Sequence, residues 1–415
     1  MDRATDAAVR DRLARLAGSA ETELRGRILP FWLKQADPAR GGFFGAASSR
    51  GRALPSAAKG AVMHARILWT FSAAHRRYAA PELLAAAQAA WRFLADHLVD
   101  RRHGGVIWSA DADGAAADAR KHLYAQAFAI FALAQFHLAS GEAAPLSLAQ
   151  ALWRLVEARA ARDVGYAESF AQDWTPAPSD LMGRADAARS FNAHLHLLEA
   201  YGELWRVWPD PALAARIETL TDLLVGAIHE RRTFPQFFDP QMRALDAGGS
   251  HGHDIEACWL IPAAAGRVSA ALAQRARAAM GGVAAAVLDR AVQPDGGLDT
   301  GLDASGRADP GRIWWIQAEA LVGFLDAFEQ AGEPRFLDAA EGVWRFIETA
   351  VIDETAGEWR WRVTAPDQPV QVLPLAHLWK CPYHNGRACL ETIARSRRLA
   401  DAQPSAATSA STAAP

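Results

Sequence analysis

The chain has 415 residues, is 51% apolar and carries a formal net charge of −3, enough for a sizeable core and a poor match to nucleic acid or an anionic membrane surface. Its start, MDRATDAAVRDRLARLAG, is charged from the second residue, so no signal peptide is expected. No apolar run is read as approaching a membrane span of roughly 18–20 residues, and the three cysteines, Cys258, Cys381 and Cys389, suit a reducing cytoplasm better than a disulfide framework.

Residues 1–8 read as a flexible lead-in. Helical text from residue 9 runs into a Gly/aromatic turn, RGGFFGAASSRG (40–51), followed by an apolar helix, MHARILWTFSAAHRRY. The amphipathic LAAAQAAWRFLADHLVD then leads to HGGVIWSADADG (103–114), and LYAQAFAIFALAQFHLA comes next. The alternation continues through VGYAESFAQDW (164–174), FNAHLHLLEAYGELWRVW, FPQFFDPQMRA (234–244) and HDIEACWLIPAAAG. DGGLDTGLDASG (295–306) precedes WIQAEALVGFLDAFEQAG, and LDAAEGVWRFIETAVID leads to GEWRWRVTAPD (357–367). HNGRACLETIARSRRLA closes the helical text, and the low-complexity remainder, 401–415, is expected to be disordered.

The turns recur every 60–70 residues or so and several read as Gly-opened β-hairpins. Each unit holds one amphipathic helix and one that is apolar nearly all round, which describes an outer and an inner ring. Six such pairs closing on themselves give an all-α (α/α)6 barrel with short β-hairpins in its loops, a single domain over residues 9–400.

Polar and aromatic groups crowd the first turns of the inner helices. In order they are Arg66, Tyr124, Asn192 with His196, His253 with Glu256, Trp315 with Glu319, and His384. Equivalent helix ends meet at one mouth of a closed barrel, so these residues should line one pocket. Asn192 and His196 (i, i+4), His253 and Glu256 (i, i+3), and Trp315 and Glu319 (i, i+4) each share a helix face. His194, Asp254 and Gln317 should point elsewhere.

Several chemistries fit these residue types. Cys381-x-x-His384 has a zinc-like spacing but lacks a second ligand pair, and Cys381 reads better as an inert buried thiol than as a nucleophile. Glu256 and Glu319 could serve a glycosidase, although the pocket is richer in histidine than in carboxylates. Proton abstraction next to a carbonyl fits better: imidazole titrates near neutrality, and Arg66, Tyr124, Asn192 and His196 could donate to an enediolate. Two histidines on opposite walls, His253 and His384, could invert a carbon, whereas a single base would suit transfer between neighbouring carbons.

The chain resembles the N-acylglucosamine 2-epimerase superfamily, and within it the cellobiose 2-epimerase branch. The likeness rests on KGAVMHARILWTFSAA (59–74), KHLYAQAFAIFAL (121–133), NAHLHLLEAY (192–201), HGHDIEACWL (251–260), WWIQAEALVGF (314–324) and WKCPYHNGRACLE (379–391). It implies an (α/α)6 barrel, no metal or organic cofactor, and inversion at C2 of a reducing-end glucose or mannose unit. It further implies that His253 and His384 are the acid/bases and that Arg66, Asn192 and His196 hold the open-chain oxygens. Glu256 would assist ring opening with a neighbouring histidine, and Tyr124, Glu319 and Trp379 would line the reducing-end subsite.

Two departures stand out. Ala193 replaces the Thr usual in NTHLH, and the segment between Trp361 and Trp379 is unusually apolar, which leaves both free mannose and a β-1,4-linked disaccharide open as substrate. An aldose–ketose isomerase of the mannose-to-fructose type and a non-catalytic sugar-binding barrel are the alternatives. The expected partner is a small sugar, with the protein a monomer or homodimer.

Overall fold

The computed structural model describes residues 3–178, 181–184, 186–302, 307–364 and 372–402. Its helices in chain order are α1 (Arg3–Glu23), α2 (Leu29–Lys34), α3 (Ala61–Tyr78), α4 (Pro81–Phe93), α5 (Leu123–Ser140), α6 (Ala143–Arg159) and α7 (Phe191–Trp205). There follow α8 (Pro211–Gly226), α9 (His251–Val268), α10 (Ala270–Met280), α11 (Val283–Ala291), α12 (Trp314–Ala331), α13 (Pro334–Phe346) and α14 (Tyr383–Ala402). Around the inner ring α3, α5, α7, α9, α12 and α14 each pack on the next, and α14 returns to α3. Outside them, α1 packs on α14, α4 on α3, α6 on α5, α8 on α7, α10 on α9 and α13 on α12. The ring is closed, as an (α/α)6 barrel requires.

Sequence pattern sorts the helices between rings. In α5 every residue from Leu123 to Phe136 is buried, because the helix is covered on all sides. Outer α13 buries Phe336, Leu337, Ala340, Val343 and Trp344, one stripe at helical spacing. Three points correct the sequence reading. First, α5 is an 18-residue helix long and apolar enough for a membrane span by composition, but 78% of it is buried in protein, so its apolarity serves the inner ring. Second, helix α1 starts at Arg3, ahead of the boundary expected at residue 9, since the Ala- and Arg-rich text there favours helix. Third, the outer partner of α9 is broken into α10 and α11 at Gly281-Gly282, where Gly282 takes a left-handed φ of 85°. The tail expected to be disordered lies outside the described residues from 403 onward.

The short strands lace neighbouring repeats together, in addition to forming local hairpins. The two residues entering an inner helix pair with the turn of the following repeat: Lys59–Gly60 with Ser109–Ala110, Lys121–His122 with Ser169–Phe170, Arg189–Ser190 with Phe237–Phe238, and Arg312–Ile313 with Arg362–Val363. Ala47 bridges to Ala376 and closes the circle. Buried ion pairs fix these entries, Lys59 to Asp37 at 2.9 Å and Lys121 to Asp100 at 2.6 Å.

A second repeat lies one turn into the inner helices. The fourth residue of α3, α5, α7, α9 and α12 accepts a hydrogen bond from a turn amide. His64 takes the N–H of Phe43, Gln126 that of Val106, His194 that of Tyr166, Asp254 that of Phe234 and Gln317 that of Leu298. These buried polar groups clamp each turn to its helix and satisfy amides that would otherwise be stranded in the core. They are the helix faces directed away from the barrel axis, which is why His194, Asp254 and Gln317 do not reach the pocket.

Candidate active site

At the mouth where the inner helices begin lies a pocket of about 280 Å³. Arg66, Tyr124, Asn192, His196, His253, Glu256, Trp314, Trp315, Trp361, Trp379 and His384 line it. Helix register explains the set: second and sixth residues supply Tyr124, Asn192, Trp315, His384, Arg66, His196 and Glu256. These positions lie about one turn apart on one face. Of the ten residues picked from the sequence, nine line the pocket. Glu319, expected at the subsite surface, instead lies one layer back beneath His384. Ala193, the departure from NTHLH, is fully buried and does not line the pocket.

Three histidines enter the pocket, each tied by its Nδ1. His253 Nδ1 meets Gln236 Oε1, His384 Nδ1 meets Glu319 Oε1 at 2.7 Å, and His196 Nδ1 meets Glu199 Oε2 at 2.8 Å. For His253 and His384 this leaves Nε2 without a protein partner among the described residues. Both rings contact Trp315, with centroids at 5.0 Å and 5.6 Å. They therefore share one cavity, approaching from α9 and α14. Burial pushes His253 down to about 3, helped by nearby His196, and so keeps its ring neutral. Burial also lowers His384 well below the usual imidazole range, and the Arg66 and Arg387 cations add to it.

Behind the histidines is a charged hub centred on Arg387. Its Nη2 donates to Glu256 Oε1 at 2.8 Å and to Glu319 Oε1 at 2.7 Å, and its Nη1 donates to Glu199 Oε1 and Tyr383 Oη. Three buried carboxylates around one guanidinium cannot all ionise cheaply. Burial would raise Glu199, but Arg387 and His196 hold it down to about 2. Glu256 goes the other way: burial and the neighbouring Glu319 raise it well above the carboxylate range, favouring the protonated acid. Its Oε1 lies 3.8 Å from His196 Nε2, so an acid and a base adjoin at the pocket floor.

Among the described residues, three buried atoms of the pocket lining have no protein partner, Asn192 Oδ1, Arg66 Nε and Trp314 Nε1. Arg66 donates through Nη2 to Tyr124 Oη at 2.7 Å and lies over the Phe128 ring at 4.2 Å, which holds its guanidinium flat against the wall. Orphaned polar atoms grouped on one pocket can meet the hydroxyl groups of a ligand.

The competing chemistries fare worse. Glu256, Glu319 and His384 offer ligand atoms within 4.8 Å of one another and form the one such cluster among the described residues. Arg387 already occupies the facing carboxylate oxygens, so a cation there would meet another cation. Cys381 does not join that cluster, and burial raises its thiol, against a nucleophile's needs. Glu256 and Glu319 share one guanidinium nitrogen instead of flanking the pocket, which does not suit a glycosidase pair.

Sequence reasoning missed Arg387, Glu199 and Gln236. The first two sit three residues after His384 and His196, the i+3 spacing that selected Glu256, and could have been found by applying that rule again. Gln236 comes from the turn FPQFF, where no helical periodicity singles it out.

The fold and this pocket define an (α/α)6-barrel isomerase built for proton transfer at a sugar-sized ligand. A model of the N-acylglucosamine 2-epimerase (GlcNAc 2-epimerase) family matches residues 42–384, and the chain belongs to that family. Among its relatives, Cellobiose 2-epimerase of Bacteroides fragilis is 36% identical over 384 residues, covering 90% of this chain and 97% of the relative. That of Ruminococcus albus is 35% identical over 379 residues, with the same coverage. The structure of cellobiose 2-epimerase from Spirochaeta thermophila superposes with a TM-score of 0.88 at 39% identity, covering 93% of this chain and 98% of that one. A D-mannose isomerase structure shares the fold (TM-score 0.76) at 17% identity, over 95% of this chain and 98% of that one.

Proposed function

We propose that the chain inverts C2 of a reducing-end glucose or mannose unit, taking a β-1,4-linked disaccharide such as cellobiose as substrate. The observation that carries this reading is the pair of imidazoles on one cavity, each tied back through Nδ1 with Nε2 free. The relatives named above favour the disaccharide. Four tryptophans on the pocket, Trp314, Trp315, Trp361 and Trp379, give sugar rings apolar faces to stack on.

In this mechanism protonated Glu256 and His196 open the reducing ring: the acid protonates the ring oxygen as its bond to C1 breaks, and the imidazole takes the proton of the anomeric hydroxyl as the C1 carbonyl forms. His253 Nε2 then removes the C2 proton from one face. Arg66, Asn192 and His196 hold the enediolate oxygens, and the N-termini of six inner helices add positive potential where negative charge develops. His384, protonated for this step and held through Nδ1 by Glu319, returns a proton from Nε2 to the other face. The two histidines have then exchanged protonation states, and solvent resets them or the reverse reaction does.

Cellobiose, mannobiose, mannose and glucose, each incubated with the protein in D2O and followed by NMR, test the reading. Cellobiose should give its C2 epimer carrying deuterium at C2. Ketose as the main product would favour the isomerase alternative, and no exchange in any sugar would sink the catalytic reading.

A further inference from the structure

The geometry points to Gln236 as a positioning residue that fixes the tautomer of His253 and makes the two bases chemically unequal. The inference rests on the two-histidine reading of the pocket but concerns a residue outside the pocket lining. Gln236 lies in the turn between α8 and α9, and its place is set from three sides. Its backbone N–H donates to the Asp246 carboxylate at 3.0 Å, and its carbonyl accepts from the N–H of Phe191, the first residue of α7. Its side-chain Nε2 donates to the carbonyl of Phe234 at 2.8 Å. The neighbouring Phe234 N–H is clamped in turn by Asp254 of α9.

That last side-chain bond decides the amide's orientation. A backbone carbonyl can only accept, so the NH2 end of Gln236 must face Phe234 and the Oε1 end must face His253. An amide oxygen likewise only accepts, so His253 Nδ1 must carry the hydrogen. The neutral ring then has its lone pair on Nε2, on the pocket side, where a base is needed. The opposite tautomer would place N–H on the pocket and leave His253 unable to accept a proton.

His384 is held by a different chemistry. Its Nδ1 partner is Glu319, a carboxylate whose Oε1 also accepts from Arg387 and whose Oε2 accepts from Trp259 Nε1 at 3.3 Å. A carboxylate partner supports an imidazolium and a neutral amide does not. His384 thereby has a hydrogen-bond partner able to balance a positive charge during turnover and His253 does not, while burial lowers both rings. The titratable groups facing His253 are His196 on α7, which opposes a second cation, and Glu319 on α12, which favours one. Gln236 adds no charge from the third side.

The test uses the full chain and two variants, Gln236→Leu and Gln236→Glu, with 15N-histidine NMR beside kinetics. In the wild type His253 should give the Nδ1–H pattern. Gln236→Leu should lose that single pattern and lower kcat by about 10²-fold, within the range a well-placed base contributes, with KM little changed and the melting temperature near wild type. Gln236→Glu should restore the Nδ1–H pattern and move the acidic limb of the kcat/KM profile to higher pH, since a carboxylate makes His253 easier to protonate. An Nε2–H tautomer in the wild type would overturn the proposal. So would full kcat in Gln236→Leu, or an acidic limb in Gln236→Glu that does not move. If wild-type protein epimerises none of the sugars yet shows the Nδ1–H tautomer, the functional reading fails and the tautomer assignment stands.

Discussion

The barrel has two ends, and the larger hole is at the wrong one. Where the inner helices finish, a cavity of about 660 Å³ is lined by Arg76, Arg77, Glu203, Arg206, Arg267, Glu391 and Arg395 among others, more than twice the volume of the pocket at the opposite mouth. Its arginines are largely explained without a ligand. They stand at the C-terminal ends of α3, α7 and α9, where helix dipoles favour cations. Arg206 pairs with Glu203, and Arg395 with Asp326, Glu329 and Glu391. The smaller mouth collects helix N-termini, unpaired imidazole nitrogens, an orphaned Asn192 oxygen and four tryptophans. Imidazole nitrogens aimed into a tryptophan-lined cavity, and not volume, mark the site.

The contrast can be broken by substitution, and the largest effect should come from the histidines. His253→Ala and His384→Ala should each lower epimerisation by at least about 10³-fold, as loss of a positioned base or acid does, while leaving the melting temperature nearly unchanged. Retention of more than a tenth of the activity in either variant would remove that histidine from the mechanism.

Arg387 divides the two cavities, and its loss should be felt chiefly as stability. Arg387→Met leaves buried carboxylates uncompensated at a cost of about 3–5 kcal/mol, measured by urea unfolding. Glu256 and Glu319 already sit above the usual carboxylate range, chiefly through burial, and lose their cation in this variant. A carboxyl group raised on folding costs stability above its unfolded pKa and not below it. The deficit against wild type should therefore shrink from pH 8 towards pH 5, and a deficit that grows on acidification would contradict the assignment.

A finer comparison sets His194 against His196, two residues apart on α7. His194→Ala strands the Tyr166 amide and should cost about 1–3 kcal/mol with kcat nearly intact in the folded fraction. His196→Ala should do the reverse. Last, Arg76→Ala and Arg267→Ala at the rear should alter kcat/KM by less than about twofold, the outcome expected of exposed charges at the end of the barrel opposite the imidazoles; a larger loss would give the rear cavity a role in turnover.

Much of this was legible in the sequence, for a physical reason. Inner helices are apolar all round, so a polar residue in their first two turns is conspicuous, and the i, i+3 and i, i+4 rules sort Asn192, His196, His253 and Glu256 from His194 and Asp254. The same rules could not rank Glu319 as support beneath His384, because helix spacing fixes direction around the axis and not depth below a surface. Gln236 lay out of reach, since a turn residue has no periodicity and its partner His253 lies across an irregular turn leading into α9. Cross-repeat strands of two residues are likewise too short to leave an alternating pattern. The apolar stretch between Trp361 and Trp379, which bears on the second sugar, falls partly outside the described residues at 365–371.

The central claim, two bases on one carbon, is tested most directly by where deuterium appears first. Cellobiose converted in D2O and sampled at low conversion should give product epimer fully deuterated at C2, while the remaining cellobiose keeps its C2 proton, because a different imidazole delivers the new hydrogen. Product that retains the original C2 proton, or substrate that labels as fast as product, would mean a single base or a direct hydrogen transfer, and the account would fail.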